Sequence, residues 1–562
     1  MHIDARKLTG GSEECDLCII GAGPAGIALA LEFAGTPVRV ALLESGGMRY
    51  DRQVQALADG HSEGGIKPSI EVNRRQFGGN ANVWCIDLGP GEKGLRHAMF
   101  DEIDFEHRPW VAHSGWPFTR HSLMPYYERA QQLCGGGPMD YTPHAWQAPK
   151  ERALALEASG LETGLFHFTP FEVFTSRYRQ QLVQAPNISV YTHATVTELL
   201  TDADRRKVEQ VRISSPGHRS WQMRASKVVL AAGGYENARL LLLSRGPDGV
   251  GLGNAHQLVG RYYHDHLQGR SGYLIPRHPE VLDQLGLYDL RQRRGAFVMA
   301  YLKLSAELQA KEKVGNINCF LFPRPPDRQD RAIEAFNSLR QQLLLHRRAQ
   351  EAKPAPGLRR NLQQLWEVGC GLDYVLRMAA RAATGRQSTA YGVGHGGWSL
   401  LERPGQLFSR VELWHSIEQT PRAENRITLG HTLDALGRPE LQVHWHWPQE
   451  DIEQTLRAQA LFARGLEHAG LGRVEPYLEK DGSPHLERPA GSHHLMGTTR
   501  MHADARQGVV DPQCRVYGTD NLFVAGSSVF PSGGYANPTL TLLALTLRLA
   551  DHLKERQRSA GL

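Results

Sequence analysis

The chain has 562 residues, 41% of them hydrophobic and 22% charged, with a formal net charge of +5. This composition is typical of a globular protein large enough for two domains, and so small a charge excludes a strongly basic nucleic-acid-binding protein. Seven cysteines without the paired spacing of a zinc site indicate free thiols, no bound metal and a reducing, cytoplasmic location. We also expect neither a signal peptide nor a transmembrane segment, because no apolar stretch has the required length.

The first predicted element is a nucleotide-binding βαβ unit. A short apolar strand precedes the motif Gly21-x-Gly23-x-x-Gly26, which opens an Ala- and Leu-rich helix, and a second strand ends at Glu44. Gly21 permits the tight turn, Gly23 lets the backbone approach a pyrophosphate at the helix N-terminus, and Gly26 allows close helix packing. Glu44 has the spacing of a carboxylate that binds ribose hydroxyls, which disfavours NADP. The pattern by itself leaves NAD and FAD open.

Two remote segments predict further layers of the same sheet. Residues 227–244 and the segment from Asn521 onward each contain a short apolar strand that runs into small residues and then a helix. We therefore expect a discontinuous nucleotide-binding domain. The pairs His264/His266 and His444/His446 have a spacing of two residues, which a metal site on a strand would use. No third ligand is indicated, so we expect structural histidines there.

The intervening sequence contains an insertion at about 325–387 whose apolar spacing predicts helices with Arg-rich outer faces. A helical lid over a substrate cavity and a docking surface for a membrane or a redox partner both fit this pattern. Shortly after the insertion, Gln419 and Arg426 are predicted to lie on a strand and a turn near the cavity. We expect either a structural role or a contact with substrate for them.

The last segment of interest is GSHHLMGTTRM at 491–501, in which His493 and His494 precede a Gly-Thr pair. A histidine beside Leu and Met can be a buried, hydrogen-bonded core residue or a proton acceptor near a cofactor. The eleven residues alone do not decide between these roles.

In their joint order, these segments resemble the glucose-methanol-choline (GMC) oxidoreductases, FAD-dependent enzymes that act on alcohols, and within them the branch of the pyranose oxidases. The resemblance covers most of the chain and is weakest over the insertion. It rests on the nucleotide motif and on QFGGNANVWC (76–85), SGWPFTRHSLMPYYERA (114–130), VVLAAGGYENARLLLLS (228–244), VGRYYHDH (259–266), HLMGTTRM (494–501) and DPQCRVYGTDNLFVAGSSVFPSGGYANPTLT (511–541).

The resemblance implies a two-part α/β fold. A Rossmann-like FAD-binding domain would be assembled from residues 1–98, 186–267 and 488–562. An α+β substrate-binding domain would comprise residues 99–185 and 268–487, including the insertion.

The resemblance also implies roles for individual residues. His494, three residues before the Gly-Thr pair, corresponds to the family's catalytic histidine, and Asn537 corresponds to its hydrogen-bonding partner. His493 and Gln419 are weaker candidates for contact with substrate. The remaining implied residues all belong to cofactor binding. Near the flavin ring the resemblance places Gly78, Gly79, Asn80 and Asn82, near the adenine Val196, and near the phosphates Gly526 and Ser527. Pro538 and Thr539 are also implied to bind the cofactor.

The implied activity is oxidation of a hydroxyl group, on a sugar, glycoside or polyol, to a carbonyl by hydride transfer to flavin N5. Noncovalent FAD is expected, because Val83 stands beside Trp84 where some members carry a histidine bonded to the flavin. Oxygen or an external redox partner would accept the electrons. Alternatives are a dehydrogenase of a non-sugar alcohol that reduces a quinone or cytochrome, a non-redox lyase, and a flavin-binding scaffold protein.

Overall fold

A computed structural model describes residues 1–8, 10–63, 73–84, 86–89, 92–148, 151–218, 220–348, 358–383, 396–401 and 403–559. Cys85 and parts of the insertion (349–357 and 384–387) lie outside the described residues. The strands are β1 (His2–Asp4), β2 (Ser12–Ile20), β3 (Val40–Leu43), β4 (Gly60–Glu63), β5 (Ile86–Gly89), β6 (Glu92–His97), β7 (Leu161–Pro170), β8 (Ile188–Thr192), β9 (Thr195–Thr201), β10 (Val208–Ser214), β11 (Trp221–Leu230), β12 (His266–Pro276), β13 (Arg291–Arg293), β14 (Ala296–Leu304), β15 (Asn318–Arg324), β16 (Arg410–Glu418), β17 (Arg426–Leu433), β18 (Pro439–His444), β19 (Gly472–Pro476), β20 (Glu487–Gly491) and β21 (Leu522–Val524).

The α-helices are α1 (Pro24–Glu32), α2 (Arg52–Gln55), α3 (Glu102–Phe105), α4 (Met124–Leu133), α5 (Tyr178–Gln184), α6 (Gly233–Leu243), α7 (Glu280–Asp283), α8 (Ala306–Glu312), α9 (Asp327–Arg348), α10 (Leu358–Cys370), α11 (Leu372–Ala383), α12 (Pro404–Leu407), α13 (Gln449–His468) and α14 (Thr539–Ser559). Within the described part of the chain, no helix is both long and apolar enough to cross a membrane.

A largely parallel sheet forms the nucleotide-binding part of the molecule. Its strand order is β1-β8-β3-β2-β11-β10-β9, and β21 also pairs with β11. Six neighbouring strands run parallel, namely β1, β8, β3, β2, β11 and β21. Strands β10 and β9 continue the sheet beyond β11 as antiparallel strands. The apolar run at the end of β2 is buried, and α1 begins with Pro24 in its first turn, where the missing N–H costs no hydrogen bond. The α/β fold class predicted from the sequence is confirmed.

A second sheet is antiparallel and has the order β19-β12-β16-β15-β14-β7-β6-β5. Strands β5 and β6 belong to it, although the sequence-based limit assigned residues up to 98 to the FAD-binding domain. A separate hydrophobic core lies beside this sheet, built from residues such as Leu165, Leu302 and Phe462. The exact domain limits stay a prediction.

Candidate active site

A cavity opens at the carboxyl ends of the parallel strands. Residues that directly follow β2, β3, β11 and β21 line it, together with the start of β9, one side of α6 and the segment at His494. Ligands of open α/β sheets bind at this edge, where loops and helix N-termini present free backbone groups. The fold therefore brings the nucleotide motif and the candidate catalytic histidine to one cavity.

Each glycine of the nucleotide motif is required for a different structural reason. Gly21 has a φ of +108°, and a Cβ there would lie 2.6 Å from the carbonyl oxygen of Ala231 on the neighbouring strand. A Cβ on Gly26 would collide with the carbonyl oxygen of Gly21, so only glycine lets α1 pack this closely. Gly23 lines the cavity at the N-terminus of α1.

The turn predicted to approach the flavin packs against this motif. A Cβ on Gly79 would lie 2.9 Å from Cα of Gly23, and Gly78 has a left-handed φ of +93°. Gly79 and Asn80 line the cavity. The side chain of Asn82 instead donates to the carbonyl oxygens of Phe77 and Gly79, at 3.0 and 2.9 Å, and thereby holds the turn together.

Glu44 is buried at the edge of the cavity and fastens the loop around it. Its two carboxylate oxygens accept hydrogen bonds from the backbone N–H groups of Ala22 (3.0 Å) and Gly46 (2.8 Å). Burial raises the pKa of Glu44, and these two bonds oppose the rise. Each oxygen keeps a second lone pair, so the predicted bond to a ribose hydroxyl remains chemically open.

Val196 lies on the same side of the cavity, next to a cluster of buried arginines. Its carbonyl oxygen accepts a hydrogen bond of 3.2 Å from Arg438, which also pairs with Asp434 at 2.8 Å. The pKa of Arg438 is lowered to about 10, mainly by burial and then by the positive charges of Arg75 and Arg239. The adenine-binding role of Val196 stays a prediction, and Arg438 is a cavity residue that the sequence pattern did not indicate.

The loop after β21 forms the other wall. Gly526 has a φ of +113°, and a Cβ there would meet no described atom within 4 Å. Because Gly526 lines the cavity, the space beside it is available to a ligand. Ser527 and Pro538 also line the cavity, whereas Thr539 is a buried residue at the start of α14.

His494 lies on the cavity wall within a chain of hydrogen bonds. Arg96 can only donate, and its Nε lies 2.7 Å from Oδ1 of Asn537, so Nδ2 of Asn537 faces His494 and donates to its Nε2 at 3.1 Å. On the other side, Nδ1 of His494 lies 2.8 Å from Nδ1 of His266. Nε2 of His266 donates to the carbonyl oxygen of Gly533 at 3.0 Å, which leaves Nδ1 of His266 as the acceptor.

These bonds fix the protonation of both rings when they are neutral. His494 carries its hydrogen on Nδ1 and exposes the lone pair of Nε2 toward Asn537. Burial, followed by the charges of His266, Arg96 and His493, lowers the pKa of His494 well below its ordinary value of 6.5. Burial also lowers the pKa of His266 to about 4. At neutral pH, His494 is therefore uncharged and has a lone pair on Nε2 that could accept a proton.

Asp265 holds the backbone of both histidine segments. Its carboxylate accepts N–H bonds from His266 and His494, each at 2.7 Å, and from His493 at 2.9 Å. The left-handed φ of +63° at His493 allows two successive N–H groups to reach one carboxylate. Gln419, a candidate for substrate contact, accepts hydrogen bonds from the Asp265 backbone and the Trp445 indole, and its amide donates to the His446 carbonyl.

Arg96 is the main site residue that the sequence did not suggest. It lies 441 residues from Asn537 in sequence, and no local motif marks it. Arg96 is 5% exposed, and its guanidinium stacks over the rings of Phe166 and Phe320 and has no hydrogen-bond partner at Nη1 among the described residues. Burial lowers its pKa to about 10, so it still carries a positive charge beside Asn537 at neutral pH.

The paired histidines expected to be structural lie in different settings. Nδ1 of His264 donates a hydrogen bond of 2.9 Å to the carbonyl oxygen of Tyr262, and His444 pairs with Glu63. No group of three metal-binding side chains occurs among the described residues.

Comparison with known proteins assigns the family. A model of FAD dependent oxidoreductases matches residues 16–343, more than half of the chain, and a GMC oxidoreductase model matches residues 421–546. The chain belongs to the GMC family of FAD-dependent oxidoreductases. The resemblance inferred from the sequence is thereby confirmed, and FAD is the cofactor.

Several individual relatives were found. A C-glycoside 3-oxidase from Arthrobacter globiformis is 35% identical over 139 residues, which are 24% of this chain and 25% of the relative. The chain thus aligns with only about a quarter of the length of this relative. A 2-methyl-1,2-propanediol dehydrogenase from Mycolicibacterium austroafricanum is 23% identical over 98% of this chain and 97% of its own. The structure of a fungal aryl-alcohol oxidase covers 97% of this chain and 100% of its own, with 14% identity and a TM-score of 0.53, and so shares the fold.

The residues around the cavity fit FAD as the bound cofactor. Open space lies beside Gly233 and Gly526, both of which have positive φ and line the cavity. The indole Nε1 of Trp84, also on the cavity wall, is buried without a hydrogen-bond partner among the described residues. A dinucleotide with a polar ring supplies acceptors for such donors. Val83, beside Trp84, has no side-chain group able to form a covalent bond to the flavin.

Proposed function

We propose that this GMC protein oxidises a hydroxyl group of a sugar, glycoside or polyol to a carbonyl. The observation that carries the proposal is the hydrogen-bond chain that directs the lone pair of His494 Nε2 toward Asn537 at the wall of the cofactor cavity. Bound FAD would supply the hydride acceptor for this chemistry. The sugar class rests on the likeness to the C-glycoside 3-oxidase.

His494 would take the hydroxyl proton. A substrate oxygen that enters between Nε2 of His494 and Nδ2 of Asn537 donates its hydrogen to Nε2 and accepts a hydrogen bond from the amide. The two side chains thereby exchange their bond to each other for two bonds to the substrate. The proton ends on His494, and the amide stabilises the negative charge that develops on the oxygen without titrating.

Arg96 would support the same charge from behind Asn537. Its donation to Oδ1 polarises the amide and makes Nδ2 a better donor toward the substrate oxygen. The nearby positive charge also keeps His494 neutral in the free protein, because it disfavours a second cation. Arg96 therefore acts as a positioning residue for Asn537.

The test is anaerobic reduction of the purified flavoprotein. The visible flavin absorbance is followed while sugars, glycosides, polyols and simple aliphatic alcohols are added as separate panels. Bleaching by a sugar or glycoside at lower concentrations than by aliphatic diols supports the proposal. Bleaching only by simple alcohols or diols contradicts the sugar class, and no bleaching by any of them contradicts hydroxyl oxidation.

A second candidate has its own support, since the diol dehydrogenase aligns over nearly the whole chain. The substrate would then be a small alcohol, and the electrons would pass to a quinone or cytochrome. Readmitting air to the bleached protein separates the cases. Rapid return of colour with formation of hydrogen peroxide identifies oxygen as the acceptor, whereas slow return that an added quinone accelerates identifies a dehydrogenase.

A further inference from the structure

The insertion after β15 forms a group of three helices, α9, α10 and α11, whose inner faces pack together. Tyr374, Val375 and Met378 of α11 are buried against Ala332 and Ile333 of α9. This small core accounts for one face of α11. The polar Gln364 occupies the inward position of α10, where it donates a hydrogen bond to Ser338 at 2.8 Å.

The outward faces of these helices carry large apolar side chains in addition to the arginines expected from the sequence. Trp366 is 71% exposed and lies on one side of α10 with Leu362 and Leu365, at the i, i+3 and i+4 positions of a helix. Leu372 and Leu376, one turn apart, are likewise exposed on α11, the next helix along the chain. We call these five residues the apolar face.

This concentration is specific to the insertion. Six of the exposed large apolar side chains in the described part of the chain lie on α9, α10 and α11, counting Leu343 of α9. The others, such as Leu433 and Leu478, are scattered over the rest of the molecule. A contiguous exposed apolar surface marks an interaction site, whereas single exposed residues need no explanation.

The same segment also accounts for the net charge of the protein. Residues 325–387 contain eleven Lys and Arg against six Asp and Glu, a net charge of +5 that equals the charge of the whole chain. The rest of the molecule is therefore neutral overall. Arg359 and Arg360 are exposed at the start of α10, and Arg377 and Arg381 follow one another by one turn on α11. Arg377 pairs with the exposed Asp373 at 3.0 Å, so the positive charge beside the apolar face comes chiefly from Arg359 and Arg360.

We propose that this face docks onto the surface of an anionic lipid bilayer. Helices with Trp and Leu on one side and arginines beside them lie in the membrane interface, with the apolar side chains at the acyl boundary and the guanidinium groups on lipid phosphates. A second copy of the chain is a poor partner, because two faces of the same positive charge repel each other. The proposal does not depend on which substrate the active site takes.

Sedimentation of the full-length protein with lipid vesicles tests this directly. We expect binding to vesicles of phosphatidylglycerol and phosphatidylcholine that weakens as salt is added, and little binding to vesicles of phosphatidylcholine alone. The replacement Trp366→Glu should reduce binding by about tenfold or more. Leu478→Glu, at a residue 56% exposed outside the insertion, is the matched control and should bind as the wild type does.

The charges are tested by a second pair of variants. Arg359→Glu combined with Arg360→Glu should weaken binding by about tenfold or more, because each basic residue at an anionic surface contributes several-fold. The same double reversal at Arg457 and Arg464, which are exposed on α13, should have only a small effect. Equal losses in both double variants would show a general charge effect and overturn the proposal for this face.

Fluorescence gives an independent measurement that does not depend on a destabilising change. Subtracting the emission spectrum of Trp366→Phe from that of the wild type isolates the emission of Trp366. This difference spectrum should shift to shorter wavelength when phosphatidylglycerol vesicles are added, because the indole leaves water. An unshifted difference spectrum, or wild-type protein that stays in the supernatant, overturns the proposal. So does a dimer in solution that Trp366→Glu converts to a monomer, since the face would then be covered by a second copy.

Discussion

At the scale of single residues, His494 depends on His266, which lies 228 residues earlier in the chain. Nδ1 of His266 is free to accept only because its Nε2 donates to the Gly533 carbonyl. The ring of His494 is thereby held in the tautomer with a lone pair on Nε2. In that form, the nitrogen beside Asn537 is the one that can take a proton.

Replacing His266 tests this dependence. His266→Leu removes the acceptor for Nδ1–H of His494, and the tautomer is then no longer fixed. We expect the rate of flavin reduction to fall on the order of 10²-fold with FAD still bound, because a catalytic histidine in the wrong tautomer is a poor base. His266→Asn offers one acceptor and one donor and should recover part of the rate. Equal rates in both variants would contradict the role assigned to His266.

The pH profile follows from the depressed pKa of His494. The reaction needs the neutral ring, and burial lowers its pKa well below 6.5. We therefore expect kcat/KM to stay constant as the pH is lowered through 6.5 and to fall only at more acidic pH, where His494 becomes protonated. Stopped-flow flavin reduction across this range gives the profile. A decline centred at or above pH 6.5 would contradict a neutral, buried base.

The sequence could identify only part of this site. His494 and Asn537 lie in recognisable local motifs, and the structure brings their side chains together. Arg96 and His266 were not identified as partners, because their contacts join segments hundreds of residues apart and leave no local pattern. Gln419 was predicted to reach the cavity region, but its side chain is already bonded to the Asp265 segment and to residues after β18.

At the scale of elements, the loop after β21 supplies both a wall of the cavity and Asn537, the proposed partner of His494. Gly534 donates its N–H to Glu418, and the hydroxyl of Tyr535 lies 2.7 Å from that of Tyr301. Glu418 is in turn bound by two nitrogens of Arg108, at 2.6 and 2.7 Å. The loop is therefore hydrogen-bonded to the antiparallel sheet, and these bonds fix the position of Asn537 at the end of the loop.

The glycine at the start of this loop gives a prediction with a close control. Gly526→Ala and Gly518→Ala both place a Cβ at positive φ in open space. Gly526 has a φ of +113° and a ψ of −178°, a conformation essentially confined to glycine, so its replacement should cost about 1–3 kcal/mol of stability, and that of Gly518 about 1–2 kcal/mol. Only Gly526 lines the cavity, so only Gly526→Ala should also weaken FAD binding. Flavin release measured by fluorescence after dilution compares them. Equal FAD affinity in the two variants would contradict the assignment of this wall.

Local elements were the most predictable part of the fold. The βαβ unit follows from an apolar run, three glycines and a helix-forming sequence, and the helices of the insertion follow from their apolar spacing. Their solvent-facing side was not predictable in the same way. Periodicity gives the angle between side chains on a helix, but not which face finds a partner in the tertiary structure.

At the scale of the whole molecule, many histidines are buried and neutral. Burial lowers the pKa of five of them to about 3 or 4: His97, His167, His264, His266 and His415. In the unfolded chain these groups take up protons near pH 6.5, so below that pH the unfolded state binds more protons and gains stability relative to the folded state. Asp104 and Asp265 have pKa values raised to about 7 and about 6 in the folded protein. These two carboxyl groups therefore stabilise the folded state as the pH is lowered, opposite to the effect of the histidines.

Acid destabilisation is the expected consequence, since five groups act against two. The free energy of unfolding should decrease as the pH is lowered from 7 to 5. Denaturant titrations at the two pH values measure the change. An equal or higher stability at pH 5 would show that the buried histidines are not neutral in the folded protein.

The arrangement of the whole chain was only partly predictable. Remote strand-and-turn motifs indicated that β2, β11 and β21 share one sheet, and they do so as parallel neighbours. The membership of β5 and β6 in the antiparallel sheet was not apparent, because the register between distant strands has no signal in a single sequence.

The central claim is that His494 takes the proton of the substrate hydroxyl. Its most direct test is the anaerobic rate of flavin reduction in His494→Ala compared with the wild type, using the sugar or alcohol that bleaches the wild type best. The account predicts that the variant retains FAD and loses flavin reduction on the order of 10³-fold. A variant that retains FAD and reduces it at the wild-type rate would contradict the account.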